Sequence, residues 1–194
     1  MSEAATKNCE DPRERVLKAA ERSFVASGFH GARMAQIAKE AQMSPGHIYH
    51  YFESKEQIIA EMIRAHFDQK MVMVERYKEA GERVVDLMIE NLNDSVASNT
   101  DPFWSTLMLE IAAEATRNDQ IAASIRNMDA ELKSRVIIYL RDGVNQDELD
   151  TRLEIFIALL QGIGIRNILN PDLDKEAVIR ILRDVIELLF RQKN

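Results

Sequence analysis

Residues 33–55 read Arg-Met-Ala-Gln-Ile-Ala-Lys-Glu-Ala-Gln-Met-Ser-Pro-Gly-His-Ile-Tyr-His-Tyr-Phe-Glu-Ser-Lys, and this stretch decides the fold. It contains two short helical patterns that are joined by a tight turn. The second pattern brings small or hydrogen-bonding residues together within a short helix: Gly46, His47, Tyr49, His50 and Tyr51. A helix with such flat, polar side chains suits the major groove of DNA better than a purely internal packing position.

Local signals around the turn predict which side chains face inwards. Ser44 is expected to cap the second helix, with Pro45 at the first position, where a missing N–H has no cost. Ile48 and Phe52 lie four residues apart, so they share one face and are expected to pack against the first helix. The other ring side chains of the segment then point towards solvent or a partner: His47, Tyr49 and His50.

The same region resembles the TetR family of bacterial one-component transcriptional regulators. The matching residues extend without a gap: Gly28, Phe29, Ile37, Ala38, Ala41, Ser44, Gly46, Tyr49, Tyr51, Phe52, Ser54, Lys55 and Glu56. The resemblance implies a homodimer in which each protomer has an N-terminal helix-turn-helix head and a C-terminal helical ligand domain. Near the end of the chain, residues 158–163 and the pair Leu173-Asp174 are similar to the BetI- and QacR-like branch.

We expect one set of head residues to meet the duplex: Arg33, Ser44, Pro45, Gly46, His47, Tyr49, His50, Tyr51 and Lys55. Four of them lie where they would reach the groove and its walls: Gly46, His47, Tyr49 and His50. The resemblance implies that Lys55, at the start of the next helix, and either Tyr51 or Tyr49 anchor phosphate groups.

Two positions depart from the family pattern. Gln42 lies in the turn where the family often has glycine, and a left-handed backbone there would strain a residue with a Cβ by roughly 1–2 kcal/mol. Ala32 and Arg33 replace the Thr or Ser that often precedes the first helix of the motif. This removes a hydroxyl cap, and Arg33 offers a charged phosphate contact in its place.

The whole chain is predicted to be all-α, because no alternating strand pattern, repeat or low-complexity linker is visible. Helices are expected near residues 11–28, 37–41, 44–52, 54–81, 84–92, 101–111, 121–136, 150–169 and 174–190. The predicted organisation is a mobile tail at 1–10, a helix-turn-helix domain at 11–55 made of three helices, and a ligand-binding and dimerisation domain at 56–194.

The distribution of charge supports DNA binding by the head despite a net charge of −7. Residues 1–55 contain eight of the 25 Lys and Arg residues but only seven of the 32 Asp and Glu residues, together with three of the four His. The rest of the chain therefore carries the negative charge. The head is the part that phosphate repels least, and the acidic body is expected to face away from DNA.

The last two helices are apolar on nearly all sides, and such a helix needs burial on more than one face. A four-helix interface across a two-fold axis would provide it. The residues predicted to form this dimer interface are Phe156, Ile157, Leu160, Gly164, Ile168, Leu182, Val185 and Leu189. Packing within the chain's own core is the alternative for part of this set.

The body is predicted to hold a small-molecule pocket, because Met and Trp side chains make adaptable apolar walls. The candidates are Phe67, Met71, Met88, Trp104, Met108, Glu110 and Glu114. A carboxylate among apolar neighbours could attract a cationic effector, with Trp104 adding a cation–π contact. Two alternatives stay open: the apolar set can be ordinary core, and the two Glu residues can be exposed or paired with Arg117.

Other classes of protein lack support in the sequence. His47, His50 and His66 could suggest a metal, but they lack a Cys partner and the H-E-x-x-H spacing, so we expect no metal, cofactor or enzymatic activity. The single Cys, Cys9, cannot form an internal disulfide, and no signal peptide or membrane span is visible, which favours the cytoplasm. The remaining alternative is a helical carrier or scavenger of apolar ligands that does not bind DNA.

Overall fold

The computed structural model describes residues 11–141 and 148–191, and within these ranges every regular element is helical. The expected all-α fold is confirmed. The chain divides into two compact units, the first ending at Met62 and the second beginning at Ile63. The predicted tail, with Cys9, lies outside the described residues.

Helix α1, Pro12–Gly31, is the first described element of the first unit, and Asp11 caps its start. The Asp11 side chain accepts a hydrogen bond from the Arg13 backbone N–H at 3.0 Å. Glu14 forms an ion pair with Lys18 one turn further along α1. Near its end α1 is kinked at Gly28, where φ is 69°, a left-handed conformation that glycine adopts without steric penalty.

The two helices of the predicted motif are α2, Met34–Glu40, and α3, Pro45–Ile48. Gln42 in the turn between them has φ of 58°, so the expected left-handed residue is confirmed. Arg33 at the start of α2 makes no side-chain capping hydrogen bond, as expected from the absence of a hydroxyl there. The head is completed by the first turns of the long helix α4, Lys55–Ala80, which continues into the second unit.

Over its described residues, the second unit contains the rest of α4, a 3-10 turn at Gly81–Arg83, and six further helices. These are α5, Val84–Glu90; α6, Leu92–Asn99; α7, Pro102–Ala115; α8, Asp119–Leu140; α9, Leu149–Leu169; and α10, Lys175–Phe190. The expectation of a single helix at 84–92 was wrong at its end. The backbone of buried Asn91 leaves helical geometry with ψ of 1°, which separates α5 from α6.

The core of the second unit is built from the inner faces of α4, α5, α6, α8, α9 and α10. Its fully buried members are Val84, Leu140, Ile186 and Phe190. Each large apolar side chain that is removed from water contributes about 1.5–3 kcal/mol, so this cluster stabilises the bundle. No helix among the described residues is both long enough and apolar enough to span a membrane.

Candidate nucleic-acid interface

Helix α3 presents its residues to solvent as the sequence pattern indicates. Its cap is formed, since Ser44 Oγ accepts a hydrogen bond from the His47 backbone N–H at 3.2 Å. Ile48 and Phe52 are fully buried, and the Phe52 N–H bonds the Ile48 carbonyl at 3.0 Å. Six other positions of the segment are exposed: Ser44, Pro45, Gly46, His47, Tyr49 and His50.

The rings of His50 and half-buried Tyr51 lie beside the exposed ring of His47. Its imidazole lies 5.3 Å from the Tyr51 ring and 5.9 Å from the His50 ring, measured between centroids, both in edge-on arrangements. Tyr49 is 53% exposed. These contacts restrict the orientation of His47, and an ordered imidazole can donate to or accept from base edges in a major groove.

The two basic residues of the predicted site lie in different settings. Arg33 is exposed at the start of α2. Lys55 is half-buried, and its ammonium donates to the backbone carbonyls of Phe29 at 2.7 Å and Ala32 at 2.9 Å, while lying 4.7 Å from the centre of the Phe29 ring. Lys55 therefore ties the end of α1 to the start of α4, and this contact uses two of its three N–H donors.

Arg13 is a component of the head that the sequence reasoning missed. Its guanidinium donates to the Tyr51 carbonyl at 3.2 Å, forms an ion pair with Glu61, and lies 4.8 Å from the centre of the Phe52 ring. These partners are 38 to 48 residues away along the chain. Local patterns of caps and periodicity carry no information about contacts at that separation.

The chain matches two family profiles. Residues 16–62 match the family described as bacterial regulatory proteins, tetR family. Residues 80–191 match the C-terminal domain of BetI-type transcriptional repressors. The chain belongs to the TetR family.

Individual relatives of this TetR-family chain agree with that assignment. The HTH-type transcriptional regulator UidR of Escherichia coli (strain K12) is 36% identical over 140 residues, covering 71% of this chain and 68% of UidR. BetI of Rhizobium meliloti (strain 1021) is 26% identical over 185 residues, covering 92% of this chain and 89% of BetI. The solved structure of Salmonella enterica GusR superposes with a TM-score of 0.77 at 25% identity, covering 95% and 97% of the two chains.

These findings identify this TetR-family chain as a ligand-responsive, DNA-binding transcriptional regulator with a BetI-type C-terminal domain. They also set aside the alternative of a carrier that does not bind DNA. The relatives are transcriptional regulators. Within the described ranges, no group of three or more His, Cys, Asp or Glu side chains is arranged to hold a metal ion.

The predicted effector residues of the TetR-family body differ in burial. Phe67, Met88 and Glu114 are buried, at 6%, 5% and 4% exposure. Four others are half-buried: Met71, Trp104, Met108 and Glu110. A carboxylate as deeply buried as that of Glu114 needs a partner for its charge, which can be a group of the protein or a bound ligand.

His66 on α4 was not among the predicted effector residues, yet it stacks on Trp104. The two ring centroids are 3.9 Å apart with planes inclined by 34°, and the buried His66 Nε2 has no hydrogen-bond partner among the described residues. Burial, with a smaller effect from the charge of Lys70, lowers the pKa of His66 to about 3. His66 is therefore neutral at physiological pH, and its ring nitrogen can bond a polar group of a ligand.

The predicted dimer residues lie mostly against the chain's own bundle. Gly164 and Leu182 are buried, and a Cβ at Gly164 would lie 2.4 Å from the Asn99 carbonyl oxygen of the same chain. The other six are half-buried: Phe156, Ile157, Leu160, Ile168, Val185 and Leu189. Large apolar side chains are exposed at neighbouring positions of the same two helices: Ile155, Leu159, Ile165, Leu169, Ile181 and Leu188.

Proposed function

We propose that this regulator is a homodimeric repressor that binds a palindromic operator through α3 of each protomer and leaves it when a small molecule occupies the body. It would act in the cytoplasm, where the operator DNA is. The observation that carries the proposal is the group of exposed rings His47, Tyr49 and His50, on capped α3 and the turn that follows it, held by the buried Ile48 and Phe52.

The proposed DNA binding is supported by the two faces of the segment around α3, one buried in the head and one exposed to solvent. Ile48 and Phe52 hold the segment in the core, so His47 and its neighbours project with a fixed orientation. Base edges are read by such side chains, and each good base contact is worth about 1–3 kcal/mol of discrimination. Arg33 and Ser44 are proposed to contact phosphate at either side of the reading surface.

The dimer step relies on the apolar side chains that α9 and α10 expose to solvent. Ile181 and Leu188 of α10 are 64% and 66% exposed, and Leu169 of α9 is 70% exposed. Apolar patches of this kind, next to a bundle that is otherwise well packed, are typical of an interface with a second protomer. The proposed dimer face therefore includes these exposed residues together with the half-buried positions Phe156, Leu160 and Leu189.

The effector step relies on the surroundings of Trp104. The indole offers an apolar and cation-binding face, and the stacked His66 offers a ring nitrogen, while Met71 and Met108 are proposed as adaptable walls. We propose an apolar effector, with a cationic group answered by Glu110 or Glu114. The effector would bind one dimer conformation more tightly than the other, and in that conformation α4 is displaced. DNA binding would then weaken, typically by about 1–3 kcal/mol of coupling free energy.

Tryptophan fluorescence tests the effector step, because Trp104 is the only Trp in the chain. Cationic aromatic dyes are expected to quench its emission saturably, and DNA selected by the protein should lower the affinity for dye by the same factor as dye lowers the affinity for DNA. Dye binding without this reciprocal effect would contradict the repressor mechanism and leave only a binding pocket.

Matched charge variants separate a cationic effector from a merely apolar one. Glu110→Gln and Glu114→Gln should weaken a cationic dye more than a neutral analogue of the same shape. Glu131→Gln, an exposed carboxylate on α8, is the control and should leave both affinities unchanged. If neither of the two variants discriminates between the dyes, the carboxylates are structural and the cationic class is wrong.

A further inference from the structure

We call residues 44–52 the reading segment. Its end is held by a side chain that is distant along the chain. Tyr51 lies in the turn that follows α3, where no regular helix supplies a donor for its carbonyl, so another group must provide one. At Tyr51 this partner is Arg13, which reaches the carbonyl oxygen from the start of α1. The same guanidinium lies over the ring of Phe52 and forms an ion pair with Glu61 in the second turn of α4.

These three contacts join the start of α1, the end of the reading segment and α4. An arginine suits this position because its planar group can bond two acceptors in different directions while one face lies on an aromatic ring. The Tyr51 ring lies against His47, so a shift of the Tyr51 backbone changes the position of the His47 imidazole. Arg13 therefore acts on the reading surface through Tyr51.

We propose that Arg13 is a positioning residue for sequence recognition: it sets the orientation of the His47 and Tyr51 rings and links it to α4. The role in recognition depends on the proposed DNA-reading function of α3, whereas the effect on ring orientation does not. Arg13 is 42% exposed and Glu61 34% exposed, so we assign the larger effect to the carbonyl and ring contacts and the smaller effect to the ion pair.

The first experiment uses the full-length protein without DNA. In NMR spectra with labelled His and Tyr, Arg13→Gln should shift the ring signals of His47 and Tyr51, and Arg13→Lys should restore them in part. The control is Arg22→Gln on the same helix, because the ion pair of Arg22 with Glu40, at 3.9 Å, is long and lies within the head away from Tyr51 in sequence. Equal spectra for Arg13→Gln and Arg22→Gln would overturn the positioning role, whether or not the protein binds DNA.

The second experiment compares a duplex that the wild-type protein selects from a random pool with a scrambled duplex of the same composition. Arg13→Gln should lower the ratio of the two affinities about tenfold, because a charged hydrogen bond that orders the reading surface is lost. Glu61→Gln should lower it only about twofold, since it removes just the partly exposed ion pair. Arg22→Gln should leave the ratio unchanged.

The two duplexes also separate positioning from direct contact with DNA. If Arg13 binds phosphate, Arg13→Gln will weaken both duplexes alike and reduce the salt dependence of both, and the proposal is then wrong. If the Arg13→Gln protein loses the helical circular dichroism signal, it is unfolded, and the Arg13→Lys and Glu61→Gln proteins are used to test the proposal. An unchanged affinity ratio in both of them overturns it. A wild-type protein that selects no duplex would contradict the proposed function, while the NMR comparison would still test the link.

Discussion

The regulator is proposed to use two surfaces, and they differ in how firmly their apolar residues fix which side is buried. One is the reading segment in the first unit, and the other is the apolar faces of α9 and α10 in the second. In the reading segment, the cap at Ser44, the proline after it, and the buried pair Ile48 and Phe52 all lie where the sequence pattern places them. On α9 and α10, apolar residues occur on most sides, and six large ones are exposed on the isolated chain.

The difference arises from how much each pattern fixes the rotation of a helix. A single apolar pair four residues apart leaves one possible inner face, so the rest of a short polar helix must be exposed. A helix that is apolar on most sides has several possible inner faces, and periodicity alone cannot choose among them. Gly164 and Leu182 were thus assigned to the dimer surface although both are buried in the chain's own bundle.

The largest effect is expected from breaking the apolar surface of the second unit. Ile181→Asp combined with Leu188→Asp should convert the proposed dimer to a monomer at micromolar concentration. Because both protomers carry the two substitutions, four apolar side chains are lost from the interface, each worth about 1.5–3 kcal/mol. Sedimentation should then show the 22.2 kDa chain mass rather than twice that value. Val72→Asp on α4, at a side chain 70% exposed, is the control and should remain dimeric.

A contrasting variant sharpens the comparison within α10. Leu182→Asp introduces a charge at a position 4% exposed in the isolated chain, so it should lower the thermal unfolding temperature of the protein. If Leu182→Asp folds normally and dissociates the dimer, while the Ile181 and Leu188 variant stays dimeric, the original sequence assignment is right and the exposed face is not the interface.

The next largest effect is expected at Lys55. The sequence predicts a phosphate anchor at this residue, and in the structure its ammonium bonds two backbone carbonyls of the head. Lys55→Ala should reduce the free energy of unfolding by about 2–3 kcal/mol, because it removes two charged hydrogen bonds to the end of α1. Chemical denaturation followed by circular dichroism measures this, with exposed Lys39→Ala as the control. Unchanged stability together with a smaller salt slope of DNA binding would restore the simple phosphate-anchor role.

At His47 we expect a smaller change, in the free energy of DNA binding, together with a change in base preference. His47→Ala should cost about 1–3 kcal/mol on the preferred duplex and relax the base preference at one position of each half-site. Selection from a random pool by the variant measures this change. His30→Ala, at another exposed histidine of the head, should leave the selected sequence intact, and an unchanged selection by His47→Ala would reassign His47 to phosphate contact.

The smallest expected effect concerns the turn of the motif. Gln42→Gly should stabilise the protein by about 1 kcal/mol, because Gln42 has φ of 58° and glycine tolerates this conformation. The same change at exposed Gln36, inside α2, should instead destabilise by about 0.5–1 kcal/mol. Thermal unfolding of the two variants gives the comparison, and shifts of the same sign would contradict the account of strain.

A structural feature can be predicted from one sequence when its signal lies in residues that are close together along the chain. Caps, a left-handed turn residue and helical periodicity are local, so most helices and the exposed rings at His47, Tyr49 and His50 were predictable. The helix expected at 44–52 was wrong at its end, because α3 stops at Ile48 and a turn follows, and α6 was not predicted. The bonds of Arg13 to Tyr51 and of Lys55 to Ala32 depend on tertiary packing, which one sequence does not show. The stacking of His66 on Trp104 depends on packing between α4 and α7 in the same way.

The central claim, that two copies of the reading segment bind DNA as a symmetric pair, is tested most directly by selecting duplexes from a random pool with the wild-type protein. We predict a palindromic sequence whose half-sites are centred about 10 base pairs apart, or a multiple of that spacing, since each α3 enters one major groove. Enrichment of a single asymmetric site, or of no sequence at all, would contradict the claim.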